Sequence, residues 1–478
     1  MKKILLLLLI ALNLKEAFSQ NIGINATGAL PHTSAMLDVN STNKGVLMPR
    51  MTTAQRTAIA SPATGLLVFD LDKSTIYLFD GQKWQPMLFT SSDSNNPPIT
   101  RSASDGTLAD RFGVSVSIAG DYAIIGAYNE DIGGNTDQGA AYIFTRQSEG
   151  WKEQAKLVAA DGGANDNFGI NVSISGDYAI IGSPKATGVW TLQGAAYIFF
   201  RSGTTWSQQA RLTAADGIIG DFFGTSVSID GDYAIIGTPN ARLFYANQGA
   251  AYIFIRNSAT WSQQAKLSYA GGQFNDYFGN SVTISGNYAV IGTPYFDWFF
   301  PNQGAAFVFV RSGTVWTSQQ MIIANDGLQD DYFGSSVSIH GDYIVAGAPN
   351  DDGAFVNQGS AYIFNRSGTA WTQRTKIVSD YNQAEAYFGY SVSINNNDVI
   401  IGAIYDNTGV GSYLFKAGAA YIYHRTANLW ELVRTVNDGG RQSSGFFGGA
   451  VGVSGYNYII GAFGKNNARG EISFLNIE

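Results

Sequence analysis

The 478-residue chain contains no cysteine and only three histidines. Without cysteine it forms no disulfide, binds no zinc or iron–sulfur cluster through thiolates, and has neither a thiol nucleophile nor a cysteine lipid anchor. Three histidines leave few groups for acid–base catalysis. Charged residues are also scarce, at 14% of the chain against about 25% in an average soluble domain. The formal net charge of −8 argues against a nucleic-acid partner, which requires a basic face.

Long apolar runs are scarce too, and the clearest short one lies at the N-terminus. Two lysines precede the mostly apolar stretch from Ile4 to Leu14, and Ala17-Phe18-Ser19 offers small residues where a signal peptidase cuts. Eleven residues are too few for a membrane-spanning helix, which needs about 20. We interpret residues 1–19 as a secretory signal peptide cleaved before Gln20; the alternative is a buried N-terminal helix. We therefore expect a secreted or cell-surface protein without a transmembrane helix.

A repeat of about 55 residues dominates the rest of the chain,. Phe-Gly pairs recur at spacings of 56, 55, 55, 55, 55 and 59 residues, and a tryptophan lies 17 residues before each pair except the first. Glycine is abundant, with 56 residues, which favours many short strands joined by tight turns,. The pairs begin at Phe112, Phe168, Phe223, Phe278, Phe333, Phe388 and Phe447.

Each unit is predicted to contain four strands, which we name A to D. In Val114–Ile118, apolar and small polar residues alternate as in a half-buried strand A, and Gly120-Asp121 is typical of a hairpin turn,. Strand B, Tyr122–Gly126, is apolar on both faces and is expected between neighbouring sheets. Strand C is predicted over Gly139–Phe144 and strand D over segments such as Trp206–Leu212. Seven such units predict an all-β chain with a seven-bladed β-propeller of four-stranded blades over residues 95–478.

The two ends of the repeat region predict how the ring closes. The last unit stops after its strand C, Gly470–Phe474, and has no strand D. Ile99-Thr100-Arg101 lies in phase with the other strand D segments, directly after Pro97-Pro98. Proline is tolerated in an edge strand, so we expect residues 97–101 to supply the missing strand.

The Phe-Gly pairs, Gly347-Ala348-Pro349 and the Gly-Ala-Ala-Tyr-Ile-Phe sequence of strand C resemble the FG-GAP repeat family. That family includes the propeller of integrin α-subunits and many bacterial surface proteins, so the resemblance implies an integrin-α-like propeller. Integrin-type blades carry a calcium loop of the form Asp-x-Asp-x-Asp-Gly between strands A and B. Here a two-residue hairpin such as Gly176-Asp177 takes that place, and one carboxylate does not supply the six to eight oxygens that calcium binds. We expect no cofactor, although calcium elsewhere stays open.

Residues 20–90 differ from the repeats. The segments Asn21–Asn25 and Lys44–Arg56 resemble the tail-fibre or collar-like leader module of secreted Bacteroidota surface proteins, which implies a homotrimer. Thr52 or Thr53 is predicted to cap a short helix to about Ala60. Residues 91–98 are predicted to form a linker. Three strands are predicted over Leu66–Phe69, Thr75–Phe79 and Lys83–Leu88.

The loops between strands B and C differ most among units and carry many aromatic residues. Aromatic faces beside carboxylates suit sugar rings, and tryptophan and tyrosine are enriched in protein-binding hot spots. The alternative is that these rings pack against neighbouring loops. We take as candidate ligand-binding residues Trp190, Tyr245, Phe296, Asp297, Trp298, Phe299 and Tyr413.

An aspartate two residues before the phenylalanine recurs in five units. A feature repeated around a ring favours a structural role, such as accepting backbone N–H bonds in an Asx-turn, over a metal site. The same interpretation applies to Asp105, Asp161, Asp216 and Asp326. The weak candidates for a metal site are Asp166, Asp221, Asp276 and Asp331.

Three functions fit these features. The first is a secreted or surface-bound adhesion protein that binds an extracellular glycan or protein through the B–C loops. The second is a structural role, in which a trimeric stalk displays rigid propellers. The third is a propeller glycosidase or lyase, which needs two carboxylates with separated pKa values. Loop acids such as Asp297, Asp351, Asp352 and Asp406 are available, but no motif selects a pair, so we expect no enzyme and assign no catalytic residue.

Overall fold

The computed structural model describes residues 22–25, 37–41, 46–72, 75–86, 97–379, 383–407, 416–426, 429–437 and 443–477. The chain forms two compact units that divide between Thr90 and Ser91. The predicted signal peptide, residues 91–96 of the predicted linker and Tyr413 lie outside the described residues.

The N-terminal unit contains two small sheets rather than the single three-stranded sheet predicted. In the first, β1 and β2 run parallel, and in the second, β3 pairs in parallel with β4, which begins an antiparallel meander through β5 and β6. The prediction missed β3 because two residues carry no periodicity. The strands are β1 Ile22–Asn25, β2 Leu37–Asn40, β3 Arg50–Met51, β4 Leu67–Asp70, β5 Thr75–Phe79 and β6 Trp84–Pro86.

A short helix, α1, spans Thr53–Thr57 and is capped by Thr52, as predicted, although it ends before Ala60. Thr52 and Gln55 form a reciprocal capping box, in which Gln55 N–H donates to Thr52 Oγ1 at 3.2 Å and Thr52 N–H donates to Gln55 Oε1 at 2.9 Å,. On the inner side of the helix, buried Arg56 pairs with Asp70 at 2.8 Å. The helix is thereby fixed against β4.

The C-terminal unit consists of seven antiparallel sheets of four strands in the order A-B-C-D, which confirms the predicted propeller. Strand A spans Val116–Ala119, Val172–Ser175, Ser226–Asp230, Ser281–Ser285, Ser336–His340, Phe388–Asn395 and Phe447–Ser454. Strand B spans Tyr122–Ala127, Tyr178–Ser183, Tyr233–Thr238, Tyr288–Thr293, Tyr343–Ala348, Asp398–Ala403 and Asn457–Ala462. Strand C spans Ala140–Gln147, Ala195–Ser202, Ala250–Asn257, Ala305–Ser312, Ser360–Ser367, Ala419–Thr426 and Glu471–Asn476. Strand D spans Gly150–Leu157, Thr205–Leu212, Thr260–Leu267, Val315–Ile322, Ala370–Ile377, Leu429–Asn437 and, for blade 7, Ile99–Arg101.

The A strands surround a central channel, and the B strands are buried between neighbouring sheets. Serines of strand A and the residues just before it join the blades around the channel; for example, Ser115 Oγ donates to the Gly169 carbonyl of the next blade at 2.9 Å. The described residues that line the channel carry no charge. These hydrogen bonds join neighbouring blades, so the serines that make them have a structural role.

The Phe-Gly pair recurs because it fills the contact between two blades. Phe223 is fully buried, packs against Tyr252 of its own blade, and shares one hydrophobic cluster with Ile180 and Ile198 of the preceding blade. The glycine allows the backbones to meet closely. Gly169 has a φ of +96°, and a Cβ there would lie 2.3 Å from the carbonyl oxygen of Ala140, so no other residue fits.

Residues 99–101 close the ring, as predicted. Ile99 pairs with Phe474, Thr100 with Ser473 and Arg101 with Ile472 in an antiparallel register. Strand D of blade 7 therefore comes from the beginning of the unit and strands A to C come from its end. The strand begins directly after Pro98, which has no N–H to donate to a neighbouring strand.

The two faces of the propeller differ in their loops. A two-residue turn joins strands A and B, as at Gly120-Asp121, where Gly120 has a φ of +58°,. The A–B and C–D turns form one face, the turn face. The longer B–C and D–A loops form the opposite face, which we call the loop face. Between strands B and C of blade 7, residues 465–468 form a tight turn in which Asn466, Asn467 and Ala468 have positive φ values of 54°, 59° and 63°.

Candidate binding face

The loop face is built from pairs of hydrogen-bonded loops. In each pair, the B–C loop of one blade accepts a hydrogen bond from the D–A loop that leads into the next blade. Asn275 N–H donates to the Ala246 carbonyl at 3.2 Å, and Asp330 N–H donates to the Pro301 carbonyl at 2.9 Å. Each loop therefore braces its neighbour.

In blades 1 to 5 a buried glutamine links the two loops of each pair. Gln303 Oε1 accepts the Phe299 N–H at 3.2 Å, and its Nε2 donates to the Gly327 carbonyl in the D–A loop at 3.1 Å. Gln248 accepts the Phe244 N–H in the same way at 3.1 Å. The sequence reasoning missed these residues, although a Gln-Gly pair in every one of the first five units was a visible signal. The set is Gln138, Gln193, Gln248, Gln303 and Gln358, and all five are buried.

Large apolar side chains project into solvent from these loops in blades 2 to 5. Val189 is 84% exposed, Phe244 82% and Phe299 72%. Blade 1 has Gly133 and Gly134 in its B–C loop, although Leu108 is 68% exposed in the D–A loop that leads into this blade, so the B–C part of the feature breaks the symmetry of the ring. We call the following residues the apolar tips: Val189, Trp190, Ile218, Ile219, Phe244, Tyr245, Phe274, Tyr295, Trp298, Phe299, Phe300, Leu328, Phe355 and Val356.

The structure separates the predicted ligand-binding residues into two groups. Trp190, Tyr245, Trp298 and Phe299 are exposed on the loop face. The expectation that Phe296 contacts a ligand is wrong, because this ring is only 2% exposed. It lies under Trp298, with 6.2 Å between the ring centroids and 17° between the planes, and therefore supports an exposed ring from below.

Asp297 is exposed, but one of its oxygens is engaged within the loop. Its Oδ1 accepts the Asn302 N–H at 2.7 Å, and Asp352 accepts the Asn357 N–H at 2.8 Å in the next blade. Both asparagines have positive φ values, 52° and 50°. These carboxylates hold the tight bend at the base of the loop in blades 4 and 5.

The loop of blade 4 rests on aromatic rings where other blades have an ionic cluster. In blade 3, Asp216 accepts hydrogen bonds from Tyr252 at 2.9 Å and Lys266 at 2.6 Å. In blade 4 the three corresponding residues are Gly271, Phe307 and Met321. Phe296 fills the space, with its ring centroid 5.7 Å from that of Tyr269 and 5.6 Å from that of Phe307. All the ionic members of the cluster are thus replaced together.

The weak metal candidates are buried and bonded to backbone. Asp166 accepts the Gly163 N–H at 2.7 Å, Asp221 the Ile218 N–H at 2.8 Å and Asp331 the Leu328 N–H at 2.6 Å. These bonds run back three residues, and not forward as in the predicted Asx-turn. Burial raises the pKa of both Asp276 and Asp331 to about 6. Among the described residues, no three acidic or histidine side chains cluster as metal ligands.

Blade 1 contains a buried carboxylate of a different kind. Glu130 pairs with Lys156 at 2.5 Å, while its Oε2 has no hydrogen-bond partner within the described part of the chain. Burial raises the pKa of Glu130 to about 7; nearby Asp110 adds to this effect and Lys156 opposes it. In blade 5, Asp351 occupies the corresponding position and pairs with Lys376 at 2.7 Å.

Two protein families match the chain. The FG-GAP repeat matches residues 102–144, 151–199, 206–254, 261–309, 316–364 and 371–423, which is more than half of the chain. The protein therefore belongs to the FG-GAP repeat family. A phage tail like trimerisation region matches residues 23–98, so the chain also carries a tail-fibre-like N-terminal module.

No curated protein matches the chain. Among solved structures, the crystal structure of Saccharomyces cerevisiae Sqt1 is similar, with a TM-score of 0.44 and 9% sequence identity over 80% of this chain and 99% of that chain. The two family matches support a surface, adhesion-type or structural role, and the trimerisation region supports oligomerisation. Within the described residues, no helix is long and apolar enough to cross a membrane.

Proposed function

We propose that the protein is a secreted or cell-surface binding protein that uses the apolar tips to bind an extracellular glycan or protein. The observation that carries this proposal is the exposure of large apolar side chains on four consecutive blades, with glycines in the corresponding loop of blade 1. Monomeric proteins rarely expose contiguous apolar patches larger than a few hundred Å² unless the patch binds something.

The construction of the loops supports the same proposal. The buried glutamines and the Asp297–Asn302 bond hold the tips in one arrangement before any partner arrives. A preorganised surface loses less conformational entropy on binding. Trp190, Tyr245 and Trp298 offer flat faces that suit either a sugar ring or a protein hot spot.

Structural display is a second role, and it is compatible with the first. The match to a phage tail like trimerisation region favours three chains per assembly. Three linked loop faces raise the effective local concentration, so weak single contacts combine into strong attachment. We further propose that residues 1–19 direct export and are then removed.

The proposal is tested with the mature chain, residues 20–478, on arrays of glycans and of extracellular matrix proteins in calcium-containing buffer. We expect a specific ligand whose binding falls at least about tenfold in Trp298→Ala and in the double variant Phe244→Ser/Phe299→Ser. Tyr456→Ser is the matched control, because Tyr456 is 59% exposed but lies in the A–B turn of blade 7 on the turn face. Blank arrays, or binding that the loop-face variants leave unchanged, would favour the purely structural role.

A further inference from the structure

Five of the contacts between neighbouring blades share one arrangement on the turn face. The tyrosine that begins strand B of one blade lies beside an arginine and a tryptophan of the next. The Arg201 guanidinium is 4.2 Å from the centroid of the Tyr122 ring and donates to its hydroxyl at 3.1 Å, while Trp206 meets the ring edge-on at 6.4 Å. The other four sets are Tyr178–Arg256–Trp261, Tyr233–Arg311–Trp316, Tyr288–Arg366–Trp371 and Tyr343–Arg425–Trp430.

The contact between blade 7 and blade 1 has the arginine and the tryptophan but lacks the tyrosine. Arg146 and Trp151 occupy the usual positions, and Asn457 takes the place of the tyrosine. A cavity of about 690 Å³ opens there, lined by Arg146, Trp151, Asn457, Phe474 and Ile99 among others. Because no ring covers it, the Arg146 side chain is 43% exposed, against 20% for Arg201.

Because the closing strand is short, the seam also lacks a hydrogen-bond acceptor that other blade contacts have. The indole N–H of Trp206 donates to the Gln154 side chain of the preceding blade at 3.0 Å. Trp151 has Pro98 in the corresponding position, as the register of Ile99 with Phe474 shows, and proline has no side-chain acceptor. The indole N–H of Trp151 therefore does not make the hydrogen bond to a preceding-blade side chain that the indole N–H of Trp206 makes.

We propose that this seam pocket binds the side chain of a tyrosine that a partner protein presents on an extended segment. In all five complete contacts the arginine lies against a phenol ring, and in three of them, those of Arg201, Arg311 and Arg425, it also donates to the tyrosine hydroxyl,. The volume exceeds that of one side chain and falls in the range of about 300–1,000 Å³ typical of ligand sites, which leaves room for the flanking backbone. A carbonyl of that backbone accepts the indole N–H of Trp151.

The probe is the peptide acetyl-Ser-Gly-Asp-Tyr-Ala-Ile-amide, which copies residues 175–180, titrated against the mature chain by isothermal titration calorimetry. We expect saturable binding at one site per chain, at least about tenfold weaker when alanine replaces the tyrosine of the peptide. Asn457→Tyr fills the pocket, so it lowers peptide binding by a similar factor and raises the melting temperature. Phe244→Ser on the loop face leaves peptide binding unchanged, which separates this site from the proposed function.

A variant that should gain a second peptide site complements the variants that should lose binding, because a loss also follows from misfolding. Tyr288→Asn removes the ring between Arg366 and Trp371 and so reproduces the missing tyrosine of the seam in another contact, where the Trp371 indole N–H keeps its Gln319 acceptor at 2.9 Å. We expect this folded variant to bind two peptides per chain. The proposal is overturned if the peptide does not bind, if the alanine peptide binds as well, or if Asn457→Tyr binds the peptide like the unchanged chain.

Discussion

The indole ring of Trp151 lies flat against the ring of Phe474, with 4.3 Å between the centroids and 6° between the planes. Trp151 belongs to strand D of blade 1 and Phe474 to strand C of blade 7, so this pair joins the first blade to the last. The corresponding tryptophans elsewhere meet a tyrosine edge-on, as Trp206 meets Tyr122. Closure of the ring thus combines one stacked pair with a three-residue strand.

Truncation of Phe474 should open this closure. Phe474→Ala removes a buried ring from the seam, and we expect it to lower the free energy of unfolding by about 3–5 kcal/mol, the usual range for a core phenylalanine. Val315→Ala is the control, because Val315 is 59% exposed. The melting temperatures of both variants are measured by calorimetry. If both fall by the same small amount, the stacked pair does not hold the ring closed.

Loss of a loop glutamine should loosen one tip without unfolding the blade. Gln248→Ala removes the acceptor of the Phe244 N–H, now bonded at 3.1 Å, and a protein hydrogen bond of this kind contributes about 0.5–1.5 kcal/mol. We expect faster hydrogen exchange at Phe244 and Tyr245 and a lower melting temperature. In the control Gln147→Ala, on the exposed turn face, exchange in this loop should not change. If hydrogen exchange is unchanged in Gln248→Ala, the buried glutamines do not hold the apolar tips in place.

The buried Glu130 predicts a specific pH dependence of stability. Its pKa is about 7 in the folded chain, against an ordinary value of 4.5. Between these values the folded chain keeps a proton that the unfolded chain has released, so the contribution of Glu130 to stability falls as the pH rises through this window. Relative to Glu130→Gln, the unchanged chain should lose about 1–3 kcal/mol between pH 5 and 8.

Melting curves of both chains at pH 5, 6, 7 and 8 measure this difference. Glu149→Gln is the control, because the Glu149 side chain is 75% exposed and its removal should give no such trend. A difference between the unchanged chain and Glu130→Gln that stays constant, or that grows in favour of the unchanged chain as the pH rises, contradicts the assignment.

The aromatic support of blade 4 can be tested by a double-mutant cycle. Phe296→Asp buries a carboxylate where Met321 offers no charge, and we expect a loss of about 3–5 kcal/mol. Adding Met321→Lys supplies the partner that Lys376 gives Asp351 in blade 5 at 2.7 Å. The lysine should therefore recover about 1 kcal/mol or more in the double variant. Additive losses would show that the replacements in blade 4 are independent of one another.

The repeat explains why the fold was predictable. Phe223, Gly224 and their counterparts recur in phase because each blade meets its neighbour in the same way, and the phase alone identified Ile99 as part of the closing strand. The burial of Phe296 was not predictable from its loop, since it depends on Gly271 and Met321, which lie 25 residues away on either side in the sequence. Gln248 was overlooked because a polar loop residue is usually solvated; the repeated Gln-Gly pair marked the position, but only the contacts of Gln248 show that it links two loops.

The most direct test of the binding account is hydrogen exchange of the mature chain with and without its strongest array ligand. We predict protection confined to the loop face, in residues 185–193, 240–248, 295–303 and 350–358, which contain most of the apolar tips. The A–B turns, such as Gly231-Asp232, should exchange at the same rate in both samples. Protection of the turn face instead, or of neither face, would contradict the assignment of the loop face as the binding surface.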